Sequence, residues 1–407
     1  MAEKIIFHID VNSAYLSWEA ADRKVRYDSG DLSEYVDILT IPAIIGGNEE
    51  LRHGIVLAKS PLAKSYGIQT GEAIMTARKK CPSIMVIPPN FKIYDEYSRR
   101  FIKLLEEYAP VVEQFSIDEA FCDMTGTEKL YGNPVKFAEK LKNMIYEQLG
   151  FTVNIGVSTN KLLAKMASDF KKPNLVHTLF PEEIPAKMWP LPVDDLFFVG
   201  HSSAVRLHSM GIHTIGELAK ADKNLIVSHL KKHGETIWNY ANGNDLDIVT
   251  DHKNAQNKGY GNSTTLPYDV TDRETAKQFI LALCESVGAR LRYDKVCISV
   301  ISVQIVDNDF NNSSKQISLT SPTDITEKIY DHACTLFDKL WNGTPIRLLG
   351  VSTSKATTDA TYQLDLFDNG ETEKLKKLNA AIDSIRTKYG SDKVKRATLM
   401  DVNIKRK

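Results

Sequence analysis

The chain lacks paired cysteines, long apolar runs and an excess of charge of either sign. Its five cysteines stand singly, without a C-x-x-C pair, which argues against a zinc site and is typical of a reducing compartment. The first segment, MAEKIIFHID, turns polar too soon for a signal peptide, and no later run approaches the length of a membrane span. We therefore expect a cytoplasmic protein with no membrane contact.

Charge and length set further limits. Lysine and arginine number 51 against 52 aspartate and glutamate, so the net charge of −1 gives no overall attraction to nucleic acid. Any basic surface must be local. A folded chain of 407 residues is too long for one ordinary core, and two to four domains are expected.

The hydrophobic pattern changes along the chain. Strands and helices alternate up to about Pro173, with Ser13 placed to cap the first helix. Short helices joined by glycine turns follow, then a polar stretch, residues 242–265, that is typical of a linker. A second small α+β unit is predicted at about residues 260–355.

Neighbouring acids, Asp118 and Glu119, stand in the apolar run EQFSIDEAFCDM, and Asp10 closes the first predicted strand. We predict a buried strand or hairpin there, with Phe115 among its buried residues. Both acids can serve one site only where the strand bends or bulges. A buried lysine or arginine, or a pair of divalent cations, would offset their charge. The remaining alternative is that they cap a helix and lie at exposed turns.

Several segments resemble the palm motifs of the Y-family, or translesion, DNA polymerases. FHIDVNSAYLSWE, FSIDEAF and NIGVSTNKLLAKMASDFKKPN occur in the order and at about the spacing of that family, and VGHSSAVRLHSMGIHTIGELA resembles its helix-hairpin-helix thumb. The resemblance is to polymerase IV-like members and covers nearly the whole chain. It implies a multidomain α+β right-hand polymerase with a ferredoxin-like palm, small fingers, a helical thumb and an α+β little finger.

The same resemblance implies domain boundaries. They are residues 1–17 and 77–172 for the palm, 18–76 for the fingers, 173–242 for the thumb, 243–259 for a linker, 260–355 for the little finger and 356–407 for the tail.

The resemblance also implies a two-magnesium site. Asp10 and Asp118 would hold both Mg²⁺ ions, Glu119 would complete the site at the ion that activates the primer 3′-hydroxyl, and Val11 would lend its backbone carbonyl. Tyr15 falls at the steric-gate position, where an aromatic ring collides with a ribose 2′-hydroxyl. The alternative for Tyr15 is an ordinary core tyrosine.

Further residues would bind the incoming dNTP. Lys161 matches the lysine that reaches the triphosphate, whereas Lys165 is expected to be a solvated helix lysine. Ala14, Ser60 and Lys64 complete the predicted nucleotide site. The fingers segment AKSPLAKSYG has Pro61 and Lys64 where the family usually has tyrosine and arginine, which puts nucleotide affinity in doubt.

Primer–template DNA is the expected macromolecular substrate. Gly200 would present backbone N–H groups to phosphates in the thumb, but Phe198 replaces the usual first glycine, so a weaker cradle is expected. Each candidate phosphate contact has a solvated cation as its alternative; the candidates are Lys171, Lys172, Arg206, Arg290, Arg292, Lys295 and Lys315.

The tail carries a short apolar peptide, YQLDLF. Gln363, Leu364, Leu366 and Phe367 resemble the peptide that binds the bacterial sliding clamp, and the alternative is a strand packed on its own domain. The segment after it resembles the tails of UmuC- and UvrX-like members, which raises the question of a UmuD-like subunit. A monomer in the bacterial cytoplasm is expected.

The sequence thus predicts a magnesium-dependent, low-fidelity DNA polymerase that copies damaged templates. One alternative is a non-catalytic scaffold of the same fold that binds DNA and the clamp. A nucleotide cyclase also uses two acids and two metals, but it has no need of a helix-hairpin-helix or a clamp peptide.

Overall fold

The computed structural model describes residues 4–47, 54–251, 257–358, 370–390 and 393–400. The chain divides between residues 255 and 256 into two compact units. This division lies inside the predicted linker, and both units mix helices with sheets, as the predicted α+β class requires. Within the described ranges, no helix is both long and apolar enough to cross a membrane.

The first unit contains strands and helices in alternation. Its strands are β1 (Ile6–Val11), β2 (Ala43–Gly46), β3 (Val56–Lys59), β4 (Met85–Ile87), β5 (Val111–Gln114), β6 (Glu119–Asp123), β7 (Val153–Ser158) and β8 (Val176–Thr178). Its helices are α1 (Ala14–Asp28), α2 (Pro61–Ser65), α3 (Ile74–Lys80), α4 (Phe91–Glu106), α5 (Glu128–Tyr131), α6 (Pro134–Leu149), α7 (Lys161–Asp169), α8 (Ile184–Lys187), α9 (His201–Ser209), α10 (Ile215–Lys220) and α11 (Lys223–Ala241).

The main sheet of this unit has the strand order β5-β6-β1-β7-β8. All six residues of the central strand β1 are buried, because both of its faces are covered. Phe7 and Ile9 belong to the core that includes residues of α4 and α6, whereas Ile6 packs with Phe121 and Ala164, the latter in α7. A strand that is buried on both faces has a nearly continuous apolar sequence, which here is IFHIDV.

Two smaller assemblies complete the first unit. Strands β2, β3 and β4 form a three-stranded sheet of order β3-β2-β4, packed on α2 and α3. Helices α8 to α11 share a core with Leu163 and Met166 of α7. The first half of the predicted linker is attached to this unit, because the amide of Asn160 donates to the Gly243 carbonyl and Asp245 accepts from the Leu162 N–H.

Ser13 does not cap α1 with its side chain, so that prediction is wrong. It adopts the left-handed conformation, with φ 49° and ψ 49°, and its hydroxyl makes no capping bond. Its carbonyl instead accepts the first helical N–H groups, while the Ser17 hydroxyl donates to the carbonyl of Asn12. The chain therefore turns sharply between Asp10 and α1.

The second unit is built on a four-stranded antiparallel sheet of order β11-β10-β12-β9. Its core combines apolar residues of that sheet with those of two helices, α12 and α13. The elements are β9 (Gly261–Val270), α12 (Arg273–Tyr293), β10 (Cys297–Asp307), β11 (Asn312–Thr323), α13 (Thr326–Leu340), β12 (Ile346–Thr357) and α14 (Glu371–Tyr389).

A buried ion network attaches the tail to this unit. Glu285 of α12 is only 3% exposed and accepts from Arg386 Nη2 at 3.0 Å and from Arg396 Nε at 2.7 Å. Arg396 also pairs with Glu327 of α13, which accepts from the amide of Asn379. Because a buried carboxylate is unfavourable without such partners, α14 and residues 393–400 belong to the folded unit.

We expect Gly156→Ala to destabilise the first unit strongly. Gly156 of β7 lies against α7, where an added Cβ would meet the Ala164 carbonyl oxygen at 1.9 Å and the Ser168 nitrogen at 2.6 Å. Backbone atoms cannot move aside without separating the helix from the sheet, so a loss of about 3 kcal/mol or more is expected. Urea unfolding measures it. Gly200→Ala, whose Cβ would meet no atom within 4 Å, is the control, and equal stability of both variants would contradict the prediction.

Candidate active site

The neighbouring acids lie at the end of a hairpin turn. Strand β5 ends at Gln114, residues 116–118 form a bend, and β6 begins at Glu119. Asp118 therefore belongs to the bend and Glu119 to the strand, which removes the constraint that neighbours on a regular strand point to opposite faces. Phe115 was predicted to be buried, but its ring is 47% exposed, because it stands outside the paired strands.

Strand pairing brings Asp10 to the same place. In the antiparallel pair of β1 and β6, Asp10 is the register partner of Glu119, and the Val11 N–H donates to the Asp118 carbonyl at 3.0 Å. The Ser116 hydroxyl donates to Asp118 Oδ1 at 2.7 Å and orients that carboxylate. Acids separated by more than a hundred positions in sequence thus meet at one end of the main sheet.

Lysines of α7 and the segment after it neutralise the acids. Lys165 Nζ lies 2.5 Å from Glu119 Oε1, and Lys172 Nζ contacts both Asp10 Oδ2 and, at 2.8 Å, Asp169 Oδ1. The expectation that Lys165 is solvated is wrong, because its side chain is buried beside Glu119. Lys172 was predicted to contact DNA, but in this structure its ammonium group belongs to the acid cluster.

His8 is a further member of the site that the sequence did not reveal. It is fully buried, its Nδ1 is 2.8 Å from the Ser168 hydroxyl, and its Nε2 lies 3.9 Å from Glu119 Oε2. Burial, reinforced by Lys165 and Lys172, holds the pKa of His8 well below its usual range, so the ring is neutral at pH 7. Its only signal in the sequence is a polar residue in the apolar run IFHID.

Burial raises the pKa of Asp10 to about 6, while the Lys172 ammonium opposes that rise and the charge of Glu119 adds to it. The three acids offer only oxygen ligands, the type that hard divalent cations prefer. Among the described residues, no three metal-ligating side chains are grouped as a preformed metal site. The reason is visible in the contacts, because Asp10 and Glu119 are each turned toward an ammonium group. A metal ion bound by Asp10 and Glu119 would supply the positive charge that the two ammonium groups supply in the protein alone. The residues therefore fit a metal.

Tyr15, the predicted steric gate, is the second residue of α1 and is half-buried. Its ring stacks on Tyr94 with centroids 4.5 Å apart, and Phe91 packs edge-on at 6.1 Å. Burial raises the pKa of Tyr15, and the charge of Asp118 adds to the shift. The phenol is therefore held rigidly within electrostatic reach of the acids. Ala14 precedes it and is buried.

The predicted triphosphate contacts differ in their surroundings. Lys161 Nζ lies 2.7 Å from Glu113 Oε1 and 4.9 Å from the centre of the Phe121 ring. Ser60 is fully buried, and its hydroxyl donates to the Ile41 carbonyl and accepts from two backbone N–H groups, so its predicted nucleotide contact would require these bonds to change.

Lys64 is exposed on α2, as a phosphate contact requires. The sequence did not single out Lys59, at the end of β3. Burial, followed by the charge of Lys64, lowers the pKa of Lys59, so two cations lie near each other on the fingers segment.

The backbone of the thumb turn has a conformation typical of glycine, although phenylalanine stands at the position of the usual first glycine. Phe198 has φ 77°, in the left-handed region, and Gly200 follows as the exposed N-cap of α9. Arg206 Nη2 lies 3.1 Å from His229 Nδ1 on the surface, and Lys171 is also exposed. These residues stay candidate DNA contacts.

Two arginines that were predicted to bind DNA contact other groups of the second unit. Arg292 pairs with Asp383 at 2.6 Å and donates to the Asp324 carbonyl, so its guanidinium is engaged in attaching α14, and the predicted DNA contact would require it to leave these partners. Arg290 is half-buried and donates to the Gly261 carbonyl at 2.6 Å. The clamp-like peptide, residues 362–367, lies outside the described residues.

Comparisons with known proteins decide the family. The model of the impB/mucB/samB family matches residues 9–169, and that of its C-terminal domain matches residues 257–366. A protein named DNA polymerase IV from Clostridium acetobutylicum is 44% identical over 98% of both chains. The chain belongs to the impB/mucB/samB family.

Two further proteins are similar to most of this chain at lower identity. One from Bacillus subtilis, named DNA polymerase IV 2, is 35% identical over 98% of this chain and 95% of its own. Among solved structures, a Y-family DNA polymerase chimera has a TM-score of 0.72 at 23% identity, covering 86% of this chain and 98% of the chimera. The predicted resemblance to Y-family polymerases and the predicted polymerase fold are confirmed.

We expect Lys172→Met to lower the stability of the metal-free protein. The substitution leaves the buried carboxylate of Asp10 without its closest cation, and because the Lys172 side chain is 37% exposed, water offsets part of the loss. A decrease of about 1–2 kcal/mol in the free energy of unfolding is expected at pH 7. Urea unfolding in the presence of a chelator measures it. Lys171→Met, at the exposed neighbouring position, is the control, and an equal effect of both variants would argue against the pairing.

Proposed function

We propose that the chain is a template-directed DNA polymerase that carries out low-fidelity translesion synthesis by two-metal nucleotidyl transfer. As a member of a family of DNA polymerases, it is a nucleotidyltransferase that acts on primer–template DNA and deoxynucleoside triphosphates. Membership of this family also implies that nucleotidyl transfer depends on a divalent metal ion. The role in DNA repair and damage tolerance follows from the same relationship.

The observation that carries the proposal is the register of β1 and β6. Asp10 and Glu119 are direct partners in that pairing, and Asp118 adjoins them through its carbonyl bond to Val11. These acids at one end of the sheet, with the half-buried Tyr15 close by, support a site for a metal-bound triphosphate. Lys165 and Lys172 offset part of the repulsion among these converging carboxylates, and bound divalent metal ions would offset it further.

In this mechanism Asp10, Asp118 and the Val11 carbonyl would hold two Mg²⁺ ions, with Glu119 at the ion nearer the primer end. When bound, the ions lower the pKa of the primer 3′-hydroxyl and stabilise the charge on the α-phosphate and the leaving pyrophosphate.

The other roles belong to side chains of the chain itself. Lys161 and Lys64 would bind the triphosphate, and the Tyr15 ring would limit the space below the sugar. Lys165 and Lys172 balance the acids between turnovers, since their ammonium groups contact Glu119 and Asp10 in the protein alone.

Partners beyond DNA and nucleotide belong to the same proposal. The peptide Gln363, Leu364, Leu366 and Phe367 would bind a bacterial sliding clamp, which would hold the enzyme at the primer end. We propose that a single copy of the chain acts in the bacterial cytoplasm, either alone or with a UmuD-like subunit. The scaffold alternative is not favoured, because the acids that a scaffold would not need are present.

Primer extension with Mg²⁺ and dNTPs tests the chemistry. We expect Asp118→Asn and Glu119→Gln, which keep side-chain size but remove charge, each to lower the extension rate by about 100-fold or more. Asp123→Asn, at the far end of β6, is the matched control and should extend at the wild-type rate. Extension that survives in both acid variants, or no extension by the wild type with clamp present, would overturn the proposal.

Sugar selection tests Tyr15 separately. We expect Tyr15→Ala to incorporate ribonucleotides about 10- to 100-fold more efficiently relative to deoxynucleotides, because the ring no longer collides with the 2′-hydroxyl. Tyr15→Phe keeps the ring and should retain the wild-type selection. The ratio of kcat/KM for rNTP and dNTP is the measurement. An unchanged ratio in Tyr15→Ala would show that the tyrosine only packs against Tyr94.

A further inference from the structure

Aromatic rings form a partly exposed surface between the acid hairpin and the thumb turn. We call Phe115, Phe197 and Phe198 the aromatic ledge. Ring centroids are 6.2 Å apart for Phe115 and Phe197 and 5.9 Å apart for Phe197 and Phe198. Phe115 is 47% exposed and Phe198 is 57% exposed, while Phe197 is half-buried between them. Contiguous exposed rings of this kind are unfavourable in water unless a partner covers them.

Phe198 has the least structural justification of the three. Its φ of 77° brings the Cβ close to its own backbone, a conformation that bulky residues rarely adopt and that glycine adopts freely. Burial does not offset this strain, because more than half of the ring is exposed to water. Strain of this kind persists where a side chain has a function.

The ledge is continuous with the catalytic hairpin. Phe115 immediately precedes Ser116, whose hydroxyl orients Asp118. The Phe115 ring also packs edge-on against Phe121 at 5.5 Å, and Phe121 lies beneath the ammonium group of Lys161. A polymer chain that leaves the acids toward the thumb would therefore pass over the ledge.

The thumb side of the ledge carries charged side chains of both signs, since Asp194 and Asp195 precede Phe197 in sequence and the charges of Asp245 and Asp247 act on Tyr240, which packs against Phe197 and Phe198. The His233 ring lies 5.5 Å from Phe198, and Lys231 and Lys232 precede it in α11. Arg206 and His229 contact each other across α9 and α11. Exposed rings next to the acid hairpin match a strand whose sugars and bases present apolar faces.

We infer that the aromatic ledge binds a DNA strand next to the active site, with the Phe198 ring against a sugar or base face. This inference rests on the proposed polymerase function and adds to it a contact that depends on stacking and not on charge. Phe198 thereby positions the bound strand; it takes no part in the chemical step. Phenylalanine in place of the usual glycine then adds a contact with DNA, and this contact compensates for the strained backbone.

The test is the affinity for a fluorescent primer–template, measured by anisotropy over a range of salt concentrations. We expect Phe198→Gly to weaken binding about 10-fold even though it restores the usual first glycine of the turn, since stacking on an aromatic side chain contributes that much or more. The slope of log Kd against log salt should stay at the wild-type value, because no phosphate contact is removed. The melting temperature should not fall, since glycine relieves the strain. Phe198→Tyr, which keeps the ring, should bind as the wild type does.

Tyr146→Ala is the control for loss of an exposed ring. Tyr146 lies on α6 and, like Phe198, is 57% exposed, so its removal should leave affinity unchanged. Wild-type affinity in Phe198→Gly overturns the inference, and so does a weakening accompanied by a shallower salt slope, which would indicate a lost phosphate contact. Primer extension by the wild type, measured in parallel, separates these outcomes from failure of the proposed function, which would abolish extension in every variant.

Discussion

The pairing of β1 with β6 is the interaction on which the rest of the site depends. Hydrogen bonds between these strands bring Asp10 and Glu119 into register and join Val11 to Asp118. The apolar residues on both faces of β1 keep that register in place, because a slip of one residue would move every side chain of β1 to the opposite face, where it would meet a different set of packing partners. The chemistry of the acids is thus secured by the core of the sheet.

Helix α7 supplies the opposite charge through an unusually close packing contact. Gly156 allows the backbone of α7 to touch β7, and this approach delivers Lys165 to Glu119 and Ser168 to His8. A larger residue on the strand would separate the helix from the sheet and the cations from the acids. The electrostatic balance of the site therefore depends on the absence of a side chain at one position.

How far the sequence predicts the site depends on the kind of information required. Motifs and their order were enough for the family, the fold class and the acids, because the family is recognisable from short segments. Lys165 and His8 escaped prediction, since their burial follows from how closely α7 approaches the sheet. The surroundings of Arg292 and Ser60 escaped prediction for a related reason, because only the folded chain shows that neighbours already engage their polar atoms.

The ion network around Glu285 changes how the chain's last part should be regarded. Arg386 and Arg396 come from beyond the clamp-like peptide, yet they neutralise a carboxylate buried inside the second unit. The peptide therefore stands between two anchored elements, β12 and α14, and is not a free end. A shortened protein that stops just after residue 367 would lose a structural part of that unit, so fragments made to study the clamp-like peptide are best designed to run at least to residue 400.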